Sequence, residues 1–370
     1  MPSLFDGLRI RGLHFPNRVF VSPMCQYSSE DGFAGDWHLV HLGSRAVGGA
    51  ALVFTEATAV VPEGRISPQD LGLWKDEHIA PLERIVRFVR GQGGRAGVQL
   101  AHAGRKASTY RPWDAKSGSV PPSEGGWTAL APSAVAFEGY APPAAADEEA
   151  IRGVVRAFAA AAARARDAGF EEIELHAAHG YLLHQILSPL SNRRTDRYGG
   201  SFENRTRLAR EVVEAVRGVW PEALPLFVRL SATDWAPGGW DIEQSVELAR
   251  SLGPLGVDLV DCSSGGLVAH AKVPVAPGYH VPFAERIRRE AGVLTGVVGL
   301  ITEPAQAEAI LREGRSDAVL LARELLRDPY WPMRAARELG QEVMWPAQYL
   351  RAAPQGAAAR AATDTEGVPD

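Results

Sequence analysis

Short apolar runs rich in β-branched residues alternate along the chain with longer segments whose apolar residues recur every three to four positions. The runs predict eight buried strands, at residues 19–23, 51–56, 96–100, 172–176, 225–231, 259–262, 295–298 and 318–321. The longer segments predict helices that lie on a sheet, among them residues 78–92, 151–168, 202–219, 241–252 and 303–312. Eight strand–helix pairs predict an α/β fold, the (β/α)8 TIM barrel.

Two segments interrupt this alternation. Residues 107–146, after the third predicted strand, are rich in Pro, Gly and Ser with scattered aromatic residues. A connection of that length in a compact domain predicts a functional lid, and we expect it to cap the barrel mouth. Residues 352–370 are rich in Ala, Gly and Asp, which predicts a mobile tail. The predicted organisation is one barrel domain over residues 1–351, followed by that tail.

Composition and charge narrow the class of protein. With 370 residues, 46% hydrophobic and 22% charged, the chain can bury one large core. The net charge of −5, with both signs interspersed, argues against a nucleic-acid or membrane-surface partner, and no apolar run approaches the ~20 residues of a membrane span. The N-terminus lacks the basic and apolar regions of a signal peptide. These features predict a small-molecule substrate and a cytoplasmic location.

Candidate chemistry concentrates where predicted strands end, which is the active-site face of such barrels. His176, His179 and Tyr181 follow the fourth strand within the motif His-Ala-Ala-His-Gly-Tyr. Gly299 follows the seventh strand and Arg323 the eighth, where barrels of this type often hold a phosphate against backbone N–H groups. The remaining candidates lie at the ends of the first, second, third, fifth and eighth strands: Ser22, Pro23, Met24, Cys25, Tyr27, Ala57, Gln99, Arg229 and Ala322.

A His-x-x-His pair after a strand fits a metal site, a structural hydrogen-bonding pair or an anchor for a substrate carbonyl. No third ligand of matching motif lies beside that strand end, since His102 and Asp234 belong to other strands, so no metal is predicted. Arg229, inside an apolar run, would be costly to bury unpaired, which favours an anion or dipole partner at the barrel mouth. Cys25 alone is compatible with a buried small hydrophobe, but its place at a strand end favours a functional role.

Several motifs resemble the old yellow enzymes, and the resemblance extends over about residues 4–351. It covers residues 22–27, residues 99–106, the His-x-x-His-Gly-Tyr motif, residues 196–201 and residues 323–326. Cys25 and Tyr27 resemble the thermophilic-like bacterial subgroup that includes the xenobiotic reductases. The resemblance implies a non-covalently bound FMN that NADPH or NADH reduces, and reduction of the C=C bond of α,β-unsaturated carbonyl compounds and related activated alkenes.

The residue chemistry suits that reaction. His176 and His179 are expected to bind the carbonyl oxygen and Tyr181 to donate a proton to the α-carbon. Arg229 and Gln99 are expected at the pyrimidine edge of the flavin, and Gly299, Ala322 and Arg323 at its phosphate. By resemblance, Tyr27 contacts the substrate, and Cys25 lines the substrate side and tunes the flavin potential. By the same resemblance, the cofactor also contacts Ser22, Pro23, Met24, Cys25 and Ala57.

Alternative functions and departures from the family pattern remain. A metal-dependent TIM-barrel hydrolase could use His176 and His179, and a non-catalytic ligand-binding barrel is a further alternative. A dienoyl-CoA reductase is excluded because two cysteines cannot ligate its iron–sulfur cluster.

The resemblance favours a homodimer or homotetramer in which Arg351 reaches a neighbouring site, although the aromatic residue common near that position is missing. Ala322 replaces the usual Gly before the phosphate-binding Arg323, and its methyl group should be tolerated.

Overall fold

The computed structural model describes residues 2–360, and eight parallel strands at its centre close into a barrel. Each barrel strand pairs with the next one along the chain, and the eighth pairs with the first. The predicted (β/α)8 fold is therefore confirmed. The barrel strands, numbered here one to eight, are Val19–Val21, Leu52–Ala59, Arg95–Ala101, Glu172–Ala177, Leu226–Ser231, Leu259–Ser263, Leu294–Val297 and Ala318–Leu321.

Amphipathic helices surround the barrel, and each predicted helix is present with ends shifted by three residues or fewer. Segment 78–92, for example, forms a helix over Ile79–Gly91. The α-helices are Asp36–Val47, Ile79–Gly91, Glu148–Asp167, Leu182–Leu187, Phe202–Arg217, Ile242–Leu252, Val281–Ala291, Pro304–Arg312, Arg323–Arg327 and Trp331–Glu338. Short 3-10 helices cover Pro62–Gly64, Asp76–His78, Gly104–Lys106, Pro122–Glu124, Gly253–Leu255 and Ala347–Ala352.

Aromatic side chains fill the N-terminal half of the barrel interior. Phe20, Phe54 and Phe227 meet there, and the ring of Phe15 lies 5.1 Å from that of Phe20. Phe15 belongs to a hairpin of two three-residue strands, Leu8–Ile10 and Leu13–Phe15, which closes this end of the barrel. Because successive residues of a strand point to opposite faces, the inward positions beyond these aromatic residues face the opposite, C-terminal mouth.

The predicted capping loop after the third strand is present. It contains the 3-10 helix Pro122–Glu124 and two paired two-residue strands, Leu130–Ala131 and Ala144–Ala145. The indole N–H of Trp127 donates to the carbonyl of Glu63 (2.9 Å), and Trp113 packs edge-on against Tyr27 at 5.6 Å between ring centroids. These contacts place the cap beside the ends of the first two barrel strands.

The segment that follows residue 351 is anchored up to residue 360. Trp345 forms a parallel bridge with Ala359, and the partly buried guanidinium of Arg360 donates to the carbonyls of Ala46 and Gln92, at 3.0 and 3.1 Å. Residues 352–360 of the predicted tail are thus held against the barrel, and residues 361–370 lie outside the described residues. Among residues 2–360, no helix is both long and apolar enough to cross a lipid bilayer.

Candidate active site

The strand register brings the polar inward residues together at the C-terminal mouth. His176 on strand four lies beside Arg229 on strand five, and Arg229 lies beside Asp261 on strand six. Gln99 on strand three lies beside Glu174 on strand four. All five side chains are at least 95% buried, because the neighbouring strands enclose them on both sides.

A cavity of about 220 Å³ gathers the four residues expected at the phosphate and the flavin edge, Arg229, Gly299, Ala322 and Arg323. The Arg323 side chain forms no hydrogen bond or ion pair with any residue in the described range 2–360. Gly299 has a φ of +124°, and a Cβ there would lie 3.0 Å from Nδ1 of His280. An unpaired guanidinium, together with glycine backbone that a ligand can approach closely, suits a bound phosphate.

The residues expected around the flavin ring and the substrate form a second group. Cys25, Tyr27 and Tyr181 pack against a buried apolar cluster that includes Ala57 and Ile66. Ser22, at the end of the first strand, is buried, and its hydroxyl has no hydrogen-bond partner among the described residues. The two groups together fit FMN, because one offers cations and free backbone to a phosphate and the other an apolar wall to a ring.

His176 is held as a neutral hydrogen-bond donor. Its ring is nearly perpendicular to those of His179 and Tyr181, with centroids at 5.1 and 4.9 Å. Nδ1 accepts a hydrogen bond from the backbone N–H of Ala178 (3.2 Å), so the ring proton lies on Nε2. Burial, and next the charge of Arg229, hold the pKa of both histidines well below the usual value. Each ring therefore has a single N–H at neutral pH.

His179 is more constrained than the sequence indicates. Its Nε2 lies 2.7 Å from the hydroxyl of Ser263, and its backbone has a φ of +56°. Nδ1 forms no hydrogen bond within the described part of the chain. A ligand oxygen can therefore meet an N–H on Nδ1 when Ser263 donates to Nε2.

Tyr181 and Cys25 both retain their protons. Burial raises the pKa of Tyr181 well above its usual value, and nearby Cys25 and Tyr27 raise it further. Burial also raises the pKa of the Cys25 thiol, with added contributions from Asp70 and Glu56. Cys25 is accordingly a neutral thiol, and Tyr181 is a phenol with a proton to donate.

Two positioning contacts in this region were not assigned from the sequence. The ammonium group of Lys106 donates to the carbonyls of His179 (2.9 Å) and Gly266 (2.6 Å), which ties the loop after strand three to those after strands four and six. Behind the same turn, Nε2 of His184 lies 2.8 Å from Oδ1 of Asp234. A histidine within the apolar helix Leu182–Leu187 was the available signal for the second contact.

Gln99 and Arg229 also have partners that the sequence analysis did not identify. The amide nitrogen of Gln99 donates one of its two N–H groups to Glu174, and its oxygen remains for a ligand. Nε of Arg229 lies 2.9 Å from Oδ2 of Asp261. The signal was a carboxylate inside each of two apolar strands, which requires a buried partner just as Arg229 does.

The described residues offer no support for the metal-dependent hydrolase. Within residues 2–360, no group of three or more His, Cys, Asp or Glu side chains could hold a metal ion. The two distant candidates are already engaged, because Nδ1 of His102 accepts from the N–H of Gly104 and Asp234 pairs with His184. His176 and His179 have no third ligand there.

Comparison with known proteins identifies the family. Residues 3–342 match the sequence model of the NADH:flavin oxidoreductase / NADH oxidase family, the FMN oxidoreductases. The chain belongs to this family. An NADPH dehydrogenase of Halalkalibacterium halodurans is 48% identical over 352 residues, which cover 95% of this chain and 98% of that protein.

Solved structures of family members agree with this result. Morphinone reductase is 30% identical with a TM-score of 0.77, covering 92% of this chain and 91% of its own. The old yellow enzyme homologue from Zymomonas mobilis is 26% identical with a TM-score of 0.76, covering 91% and 93%. The predicted old yellow enzyme family, the oxidoreductase class and the cofactors FMN and NAD(P)H are thereby confirmed. Family membership disfavours both the hydrolase and the non-catalytic barrel.

Proposed function

We propose that this family member reduces the C=C bond of α,β-unsaturated carbonyl compounds and related activated alkenes. The observation that carries the proposal is one constellation at the barrel mouth. Two neutral imidazoles and a protonated phenol lie together beside an apolar cluster. An enone needs such a set: hydrogen-bond donors for its oxygen, an acid for its α-carbon and an apolar wall for its carbon skeleton.

In the proposed reaction, Nε2–H of His176 and Nδ1–H of His179 donate to the carbonyl oxygen, which draws electron density from the β-carbon. FMN, when bound, supplies hydride to that carbon after NADPH or NADH has reduced it. Tyr181 donates its phenolic proton to the α-carbon. Tyr27 contacts the substrate from the side of the first strand, and Cys25, a neutral thiol, lines the same side and tunes the flavin potential.

For the cofactor, we assign Arg323, Gly299 and the backbone of Ala322 to the phosphate. Arg229 and the free amide oxygen of Gln99 are assigned to the pyrimidine edge of the ring. The flavin also contacts the backbone of residues 22–25 and Ala57. The unpaired Arg323 and the unpartnered hydroxyl of Ser22 support this placement, because both have unused hydrogen-bonding capacity beside the proposed cofactor.

We further propose a homodimer or homotetramer in which Arg351 reaches a neighbouring site. Arg351 is exposed on the 3-10 helix Ala347–Ala352, and the large apolar side chains of Tyr349 and Leu350 beside it are also exposed. A partner subunit would cover these side chains. A cytoplasmic location is proposed because both cysteines, Cys25 and Cys262, are free thiols.

The decisive experiment is an anaerobic flavin spectrum of FMN-loaded protein, recorded after addition of NADPH and again after 2-cyclohexenone. Bleaching followed by recovery of the oxidised band is expected. Cyclohexanone, which lacks the double bond, is the control and should leave the bleached spectrum unchanged. Bleaching without recovery on the enone would contradict the alkene substrate, and failure to bind flavin would contradict the cofactor site.

A further inference from the structure

Two carboxyl side chains lie inside the barrel, beneath the proposed flavin edge. Glu174 and Asp261 are completely buried, and each influences the pKa of the other. Gln99 donates an amide N–H to Oε1 of Glu174 at 2.6 Å. Oδ2 of Asp261 lies 2.9 Å from Nε of Arg229. The buried pair is therefore flanked by a neutral amide beside Glu174 and a single cation beside Asp261.

Two buried carboxyl groups beside one buried cation require a proton. Arg229 can neutralise only one carboxylate, and a second buried charge without a cation would be costly, so one member of the pair is protonated. Asp261 lies against the positive charge of Arg229, whereas Glu174 receives only the neutral amide of Gln99. The proton therefore lies on Glu174 and the negative charge on Asp261.

The electrostatic surroundings agree with this assignment. Burial, and next the charge of Asp261, raise the pKa of Glu174 to about 8, while Arg229 opposes the rise. Burial raises the pKa of Asp261 as well, with Arg229 lowering it. Below them on strand four, Glu172 is also buried, and burial followed by the proximity of Glu174 keeps its pKa well above the usual range. With Glu172 and Glu174 neutral, the charges of Arg229 and Asp261 cancel.

We propose that protonated Glu174 is a positioning residue that holds Gln99 in place at the FMN ring, and that its proton sets the net charge beneath the ring. This inference rests on the cofactor placement proposed above. The Nη nitrogens of Arg229 form no hydrogen bond within the described residues and remain available to the ring, because Asp261 lies against Nε. Loss of the Glu174 proton leaves two negative charges against one positive charge, which disfavours a reduced, negatively charged ring.

The discriminating substitution is Glu174→Gln. A glutamine can still accept from Gln99 through its carbonyl oxygen, but it cannot ionise. The FMN dissociation constant of Glu174→Gln is expected to stay within about 3-fold of wild type. Glu174→Leu removes the acceptor for Gln99 and is expected to weaken FMN binding by about 10-fold or more.

The midpoint potential of bound FMN, measured from about pH 6 to about pH 10, supplies the second readout. For the wild type, the potential is expected to fall more steeply with pH above about pH 8, where Glu174 ionises. Glu174→Gln should lack this extra slope. Glu172→Gln is the matched control, since Glu172 is a buried carboxyl on the same strand that does not contact Gln99 or Arg229, and it should retain the slope.

Two results would overturn the proposal. If Glu174→Gln weakens FMN binding as strongly as Glu174→Leu, Glu174 acts as an anion. Equal pH slopes in the wild type and Glu174→Gln would mean that no proton at Glu174 affects the ring. If Glu174→Leu fails to fold, the comparison of wild type with Glu174→Gln still decides. No alkene enters these measurements, so their failure is separate from failure of the proposed enone reduction.

Discussion

Replacing Asp234 by Asn tests whether the turn that presents His179 and Tyr181 depends on the buried polar contacts behind it. The backbone N–H of Gly180 donates to Nδ1 of His184 (2.9 Å), which places the ring proton on Nε2, 2.8 Å from Oδ1 of Asp234. Oδ2 of Asp234 accepts from the hydroxyl of Ser188 (2.6 Å) and the backbone N–H of Trp240 (2.7 Å). Asp234 is completely buried, so no water can replace a lost partner.

An asparagine amide cannot satisfy this set in either orientation. With its nitrogen toward His184, two N–H groups face each other, and a change of tautomer would move the conflict to Gly180. With its nitrogen on the other side, it faces the N–H of Trp240. One buried donor left unpaired costs about 1–3 kcal/mol, and loss of the charged acceptor adds to this. We expect Asp234→Asn to lower the free energy of unfolding by about 3 kcal/mol.

Equilibrium urea denaturation of the FMN-free protein, followed by circular dichroism, measures this loss. Ser188→Ala is the matched control, because it removes one neutral donor from the same carboxylate and should cost about 1 kcal/mol. In the FMN-loaded protein, Asp234→Asn should also weaken phenol binding by about 10-fold as the turn at Gly180 loosens. Stability within about 0.5 kcal/mol of wild type would refute the argument, since the amide would then satisfy every donor.

Three further substitutions test individual roles. Tyr181→Phe should slow alkene reduction far more than flavin reduction in stopped-flow measurements, and an equal effect on both would remove it as the proton donor. His179→Ala should leave FMN bound and reducible but weaken phenol binding, and unchanged phenol affinity would contradict the carbonyl anchor. Burial, and next the charge of Arg105, lower the pKa of Lys106 to about 8. The affinity for an already ionised phenol should therefore fall as the pH rises through about 8, because the ammonium charge beside His179 is lost. The Lys106→Arg variant keeps its charge and should bind the ionised phenol without this fall, and an equal fall in both proteins would mean that another group titrates.

Much of the architecture could be read from the sequence because its signals are local. Continuous apolar runs predicted each barrel strand to within a few residues, because parallel strands covered on both faces are buried at every position. An apolar period of about 3.6 predicted the helices, which bury only one face. The N-terminal hairpin was missed because strands of three residues are too short to show a period. Residues 352–360 lack large apolar side chains, so their anchoring through backbone bridges and Arg360 had no signature in composition.

The amino-acid sequence by itself determined the fold, the family and the residues that gather at the barrel mouth, because barrel topology sends every strand end to one face. Only the tertiary structure decided which atoms those residues have left to use. The hydroxyl of Ser263 lies against Nε2 of His179, Glu174 accepts one N–H of the Gln99 amide, and Asp261 forms an ion pair with Nε of Arg229. These contacts join residues far apart in sequence, and strand register together with the exclusion of water fixes them. Neither leaves a pattern in any single segment of the chain.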